Sequence, residues 1–206
     1  MGPSTRREAA EGRAGGPRRR ADAERNIAAI VAAATDLLAR DPDASMTDIA
    51  RAAGVGRVTL YAHFPSREEL IRTVLAAAIG HSMGAVEAAA PEEGSPAEAF
   101  ARLIRTCWPI LDRFGGLHEA ARRALPAEEV RRHHDLPMGR VERLIVRGQE
   151  AGSFRADLPA EWLVTTVYAL LHAAGDEVQA GRRTAEEAGD LLERTLSALL
   201  RADASS

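Results

Sequence analysis

Lysine is absent from this 206-residue chain, and all 27 basic side chains are arginine. Any contact with a phosphate must therefore come from a planar guanidinium rather than a compact ammonium. Cysteine is nearly absent too. A single residue, Cys107, excludes an intrachain disulfide framework and suits a reducing compartment. Aromatics make up only 4%, while alanine, leucine, arginine and glutamate abound, which favours helix over sheet. No apolar run reaches the length of a membrane helix, so no membrane partner is expected. The arginine-rich N-terminus lacks the apolar core of a secretory leader. It opens Met-Gly, but Arg6 stands where a myristoylation motif needs serine or threonine. These absences imply a soluble, cytoplasmic protein.

The charge that is present is unevenly placed. The formal net charge is −3, yet residues 1–75 carry 12 arginines against 10 acids, and residues 76–206 carry 15 against 20. The first 21 residues alone amount to +4. The N-terminal third is the better surface for an anionic partner.

Three stretches organise the chain. Residues 1–21 are rich in Gly, Pro and Arg without periodicity and read as a disordered tail. From Asp22, Ile27, Ile30, Val31, Ala34, Leu37 and Leu38 recur at steps of three and four, the stripe of an amphipathic helix. Pro42 ends it. Residues 22–75 form a first domain and residues 76–206 a second, with the break in pattern at "AAAPEEGSPAEA" marking a further connection. Ser95-Pro96-Ala97-Glu98 is a capping box. The pattern predicts a helix to about Phe114 stopped by Gly115-Gly116, a short helix near 117–125, and a longer one over 126–151 with an interruption near Pro137. Two more follow, over 159–180 and 184–202. No strand is predicted, and the fold class is all-α.

"MTDIARAAGVGRVTLYAHFPSREEL" (Met46 to Leu70) carries the most information. Ser45 or Thr47 caps a short helix bearing Ile49, Ala50 and Ala53. Gly54-Val55-Gly56 makes a turn, a second short helix runs from Arg57 to His63, and Ser66-Arg67-Glu68-Glu69 forms a capping box that opens a third. Two short helices across a tight turn form the unit that sets a second helix into the major groove of DNA. There Arg57 can grip guanine O6 and N7 with two bonds, and Thr59 can reach a base or a phosphate. Tyr61 and His63 suit phosphates, and helix N-termini at Thr47, Ser66 and Arg67 offer N–H groups to the backbone of DNA. Phe64 reads as core.

Taken together, these residues resemble the DNA-binding domain of the tetracycline-repressor (TetR) family over about residues 22–75. The resemblance implies three N-terminal helices, the second and third forming a helix-turn-helix, then a fourth linking helix. A larger helical C-terminal domain for ligand binding and dimerisation would follow. It also implies that Thr47, Arg57, Thr59, Tyr61, His63 and Arg67 occupy positions that touch DNA. Two departures stand out: Ala62, where a polar or basic residue is common, and Arg67, where lysine is usual. Without the tail, residues 22–75 hold 6 arginines and 8 acids. Two readings of the tail remain open: it reaches a minor groove or nearby phosphates, or it is a solvated extension.

The expected function is a ligand-responsive transcriptional regulator, a repressor in the family's usual mode. It would bind a palindromic operator in double-stranded DNA as a homodimer and be released by a small apolar or amphipathic effector. The alternative is a DNA-binding dimer controlled by a protein partner or by no effector. The last two helices supply the expected interface through Leu163, Val167, Leu170, Leu171, Ala174, Leu191, Leu192, Thr195, Leu196 and Leu199, a four-helix arrangement across a two-fold axis. Trp108, Leu111, Met138, Trp162 and His172 are the expected ligand-pocket residues. No cofactor, metal or catalytic residue is expected. Adjacent His133 and His134 point about 100° apart on a helix and chelate poorly, and His118 has no partner three or four residues away. A helical enzyme is the remote alternative, and Cys107 reads as a small buried apolar residue.

Overall fold

Asp22, where the pattern places the first helix start, lies inside a longer helix. The computed structural model describes residues 16–202, with side chains from Arg20 onward, and its first element α1 runs Gly16–Arg40. Residues 16–21, expected in a disordered tail, are thus helical. Pro17 falls in the first turn, where a missing N–H forfeits no helical bond, and the arginines and alanine after it are good helix formers. The remainder of that tail, residues 1–15, lies outside the described residues, as do 203–206.

Two short helices follow, α2 (Met46–Ala52) and α3 (Arg57–His63). Ser45 rather than Thr47 caps α2, in a full capping box with Asp48. The turn between them closes with the Gly54 N–H on the Arg51 carbonyl and the Val55 N–H on the Ala50 carbonyl, at 3.2 and 3.0 Å. This paired closure needs a left-handed residue, and Gly54 supplies it with φ +67°. Helices of seven residues are not stable alone. Burial holds these two: Ile49 and Leu60 are fully buried in one core with Ile30, Ala34 and Leu38 of α1 and Phe64 beyond α3. Each such side chain contributes about 1.5–3 kcal/mol.

Helix α4 (Arg67–Ala88) begins at Ser66, whose Oγ accepts the Glu69 N–H at 3.2 Å. The Glu69 carboxylate turns instead to Arg72 at 3.3 Å, so the expected box is half formed. The helix joins two cores. Leu70, Ile71, Val74, Leu75 and Ala78 belong to the N-terminal one, while Ala85 and Val86 belong to a C-terminal one. A domain edge at residue 75 therefore falls inside a continuous helix. The N-terminal core also takes in Leu117, Ala120, Ala121, Leu125 and Val130 from farther along the chain.

Helix α5 (Pro96–Arg113) opens with the expected Ser95–Glu98 box. Gly115-Gly116 does not stop the helical run but starts α6 (Gly115–Ala124) after a one-residue break at Phe114. Gly116 is required by proximity: a Cβ there would lie 2.3 Å from the Ala39 carbonyl oxygen and 2.7 Å from that of Leu38. α6 is thereby seated on the C-terminal end of α1. The helix expected over 126–151 is two, α7 (Ala127–His133) and α8 (Asp135–Glu150), parted at His134. Pro137 has no N–H for the His133 carbonyl, which explains where the ladder breaks. Helices α9 (Ala160–Gln179) and α10 (Ala185–Leu200) complete the fold, the latter with a Thr184–Glu187 capping box. Among the described residues there is no strand beyond an isolated Phe154–Arg201 bridge. No helix among them is long and apolar enough to cross a membrane.

Candidate functional site

Helix α3 turns Leu60 fully inward, and this sets which residues face out. Arg57 and Ala62 are exposed, Tyr61 is 42% exposed, and Thr59 and His63 are half-buried. Val58, passed over in the sequence reading, is 86% exposed. A β-branched apolar residue so exposed in the first turn of this helix stabilises nothing within the chain.

The flanking residues are less free than the sequence suggests. Thr47 is half-buried in the first turn of α2. Ser66 is engaged as the cap of α4. The Arg67 guanidinium donates to the Pro42 carbonyl at 2.6 Å and the Ala44 carbonyl at 3.3 Å, tying α4 to the loop between α1 and α2. Arg67 thus anchors the start of α4 to the loop that leads into α2.

A second feature lies behind this unit. A cavity of about 420 Å³ opens between α4, α5, α6 and α9, within the size range of small-molecule sites. Trp108, Leu111 and His172 line it. Trp108 is anchored by its indole N–H on the Ala185 carbonyl at 2.7 Å. Met138 lines a smaller apolar annex that shares Leu111, His134 and Leu171 with the main cavity. Trp162 does not belong: it is 59% exposed. α9 is phased by Leu163, Val167 and Leu171, which are buried, so Trp162, one residue before Leu163, is turned about 100° away.

Four rings gather at the cavity wall. His118 of α6 stacks on His172 of α9, centroids 3.8 Å apart and 12° from parallel. The His134 ring stands edge-on to both, at 5.4 and 5.6 Å, and Tyr168 meets His172 at 4.3 Å. The ring nitrogens of the three histidines all lie within 4.8 Å of one another. The expectation that no histidines are grouped for metal binding is therefore corrected. Spacing along one helix finds ligands on one helix, whereas these three come from α6, the α7–α8 junction and α9. Burial, with the neighbouring histidines and Arg122, depresses the basicity of His118 far below its usual range and that of His172 to about 4. His134 is lowered by burial as well. All three imidazoles are neutral near pH 7. Burial pushes the Cys107 thiol up to about 11, so it holds no nucleophilic thiolate.

The expected interface residues divide. Leu163, Val167, Leu171, Leu192 and Leu196 are buried in the chain's own core, and their assignment to an interface is corrected. An apolar stripe does not say which neighbour covers it, and here α5, α8 and the α9–α10 pair itself do. Leu170, Ala174, Leu191, Thr195 and Leu199 remain half-buried or exposed along the outer faces, beside exposed Trp162, Ala169 and Ala173.

The sequence profile described as "Bacterial regulatory proteins, tetR family" matches residues 30–74, from the middle of α1 into α4. Over those residues this chain resembles the N-terminal region of the tetR family. The HTH-type transcriptional repressor LfrR of Mycolicibacterium smegmatis is 39% identical over 83 residues. That stretch spans 40% of this chain and 44% of the repressor, under half the length of the relative. The TetR-like fold extends over nearly all the rest. The structure of LfrR from Mycobacterium smegmatis in complex with proflavine is 24% identical, with a TM-score of 0.67 over 85% of this chain and 97% of that one. The structure of FadR from Bacillus subtilis in complex with stearoyl-CoA is 15% identical, with a TM-score of 0.70 over 84% and 97%.

Proposed function

We propose that this chain is a transcriptional regulator, acting as a repressor, that reads a palindromic operator as a homodimer and is released by a small molecule held in the cavity. The observation that carries this reading is the shared wall between reader and cavity. Leu75 and Ala78 of α4 and Gly116 of α6 line the cavity, and the same helices form the core under α2 and α3. A ligand that preferred a wider cavity would press α6 against α1 and shift α4, changing the separation of two recognition helices across a dimer. A difference of a few kcal/mol between the two arrangements empties an operator. The TetR-type relatives are regulators rather than enzymes, and one is named a repressor. Proteins of similar fold are known in complex with proflavine and with stearoyl-CoA, which supports a ligand-binding role for the cavity here. The cavity here is compact and walled by Trp108, Phe114 and the histidines, which suits a planar or short amphipathic effector.

Release of a bound operator duplex is measured by fluorescence anisotropy against a panel of planar cations and acyl compounds. At least one class should release the DNA and raise the Tm of the protein. Leu111→Trp, which fills the cavity from a wall shared with its annex, should keep DNA binding and lose the response. If no class acts on the wild type, or if the filled cavity responds unchanged, control by a small molecule is wrong and a protein partner becomes the better reading.

A further inference from the structure

We propose that His118, His134 and His172 form a binding site for a divalent transition metal of the zinc class, tying α6 to α9. Three observations carry it. The ligand nitrogens converge from three separate elements to within 4.8 Å of one another. Tetrahedral zinc with Zn–N bonds of about 2.0–2.1 Å needs nitrogens roughly 3.3 Å apart, so the ligand atoms must close by about 1 Å, and the stacked His118 and His172 rings must tilt apart so that both lone pairs meet at one ion. His134 Nδ1 sits 2.9 Å from the Val130 carbonyl oxygen. In a neutral ring that bond places the proton on Nδ1 and turns the Nε2 lone pair to the cluster, the support usually given to a metal-bound histidine. Finally, His118 Nδ1 is buried with no hydrogen-bond partner, an unsatisfied polar atom beside two other imidazoles.

The chemistry of the donors narrows the ion. Three neutral imidazoles without carboxylate or thiolate suit zinc, cobalt, nickel or copper rather than magnesium or calcium. Arg122 is a cation whose charge bears on His118 and His172, and Glu119 at 3.6 Å offsets it. The three histidines all line the cavity, so the coordination position they leave open faces space for water or a donor atom of a bound molecule.

The test uses the full untagged chain, stripped with EDTA and titrated with Co2+ under visible spectroscopy. One Co2+ per chain should bind with the intense absorption of a four-coordinate site, displaced by Zn2+. His118→Gln and His172→Gln should each weaken binding by at least ~10-fold, while His133→Gln, outside the trio, should leave it unchanged. Far-UV circular dichroism establishes that each variant is folded. Absence of a stoichiometric spectrum in the wild type overturns the proposal without reference to any variant. So does a spectrum that survives both substitutions. Neither readout involves DNA, so the site and the regulatory reading fail separately.

Discussion

Gly116 and Gly84 are both helical glycines, and the structure assigns them opposite roles. A methyl group at Gly116 would drive into the backbone of α1, whereas one at Gly84 meets nothing within 4 Å. Gly116→Ala should destabilise the protein by ~1–3 kcal/mol or more, because carbonyl oxygens cannot swing aside as side chains can. Gly84→Ala should stabilise it by ~0.5–1 kcal/mol through helix propensity alone. Urea unfolding of the two variants checks both signs. The histidine cluster predicts a pH dependence of the metal-free protein. Burial lowers the folded basicity of His118, His134 and His172 below the ordinary 6.5. Below that pH the unfolded chain takes up protons that the folded chain refuses. Their contribution is complete above about pH 6.5 and is lost as the pH falls through it, towards about 4 for His172. Stability should fall by roughly 1–3 kcal/mol between pH 7 and 4.5, and His172→Gln should flatten the slope. A rise on acidification would contradict the neutral cluster.

At the scale of elements, what was legible in the sequence follows from local rules. The capping box at Ser95, the glycine turn after α2 and the extent of α3 are written in neighbouring residues, and the structure agrees with each. Long-range facts were not legible. That the α9 stripe is covered by the chain's own helices, that Trp162 points outward, and that three histidines meet all depend on how helices dock. The helical period fixes a face but not its neighbour. Arg67 shows both limits: its place at the start of α4 is readable, its grip on the Pro42 and Ala44 carbonyls is not. Arg67→Ala should therefore weaken DNA binding and lower stability together, by about 1–3 kcal/mol in the latter. Loss of affinity with an unchanged Tm would return Arg67 to a phosphate contact alone.

For the whole molecule, a single seven-residue recognition helix reads too few bases to select a site in a genome, so the account requires a dimer. The outer faces of α9 and α10 are where it should form, and Leu191, 39% exposed, lies on them. Leu191→Arg should give a folded monomer by sedimentation, with DNA affinity falling in step. The central claim is that two α3 helices read a palindrome, with Arg57 choosing a base in each half. One measurement tests it most directly: selection of binding sites from random duplex DNA by the native protein and by Arg57→Ala, read by sequencing. The native protein should select a palindromic motif, and the variant the same motif relaxed at one position per half-site by ~1–3 kcal/mol. A motif without two-fold symmetry, or one unchanged by the substitution, would contradict it.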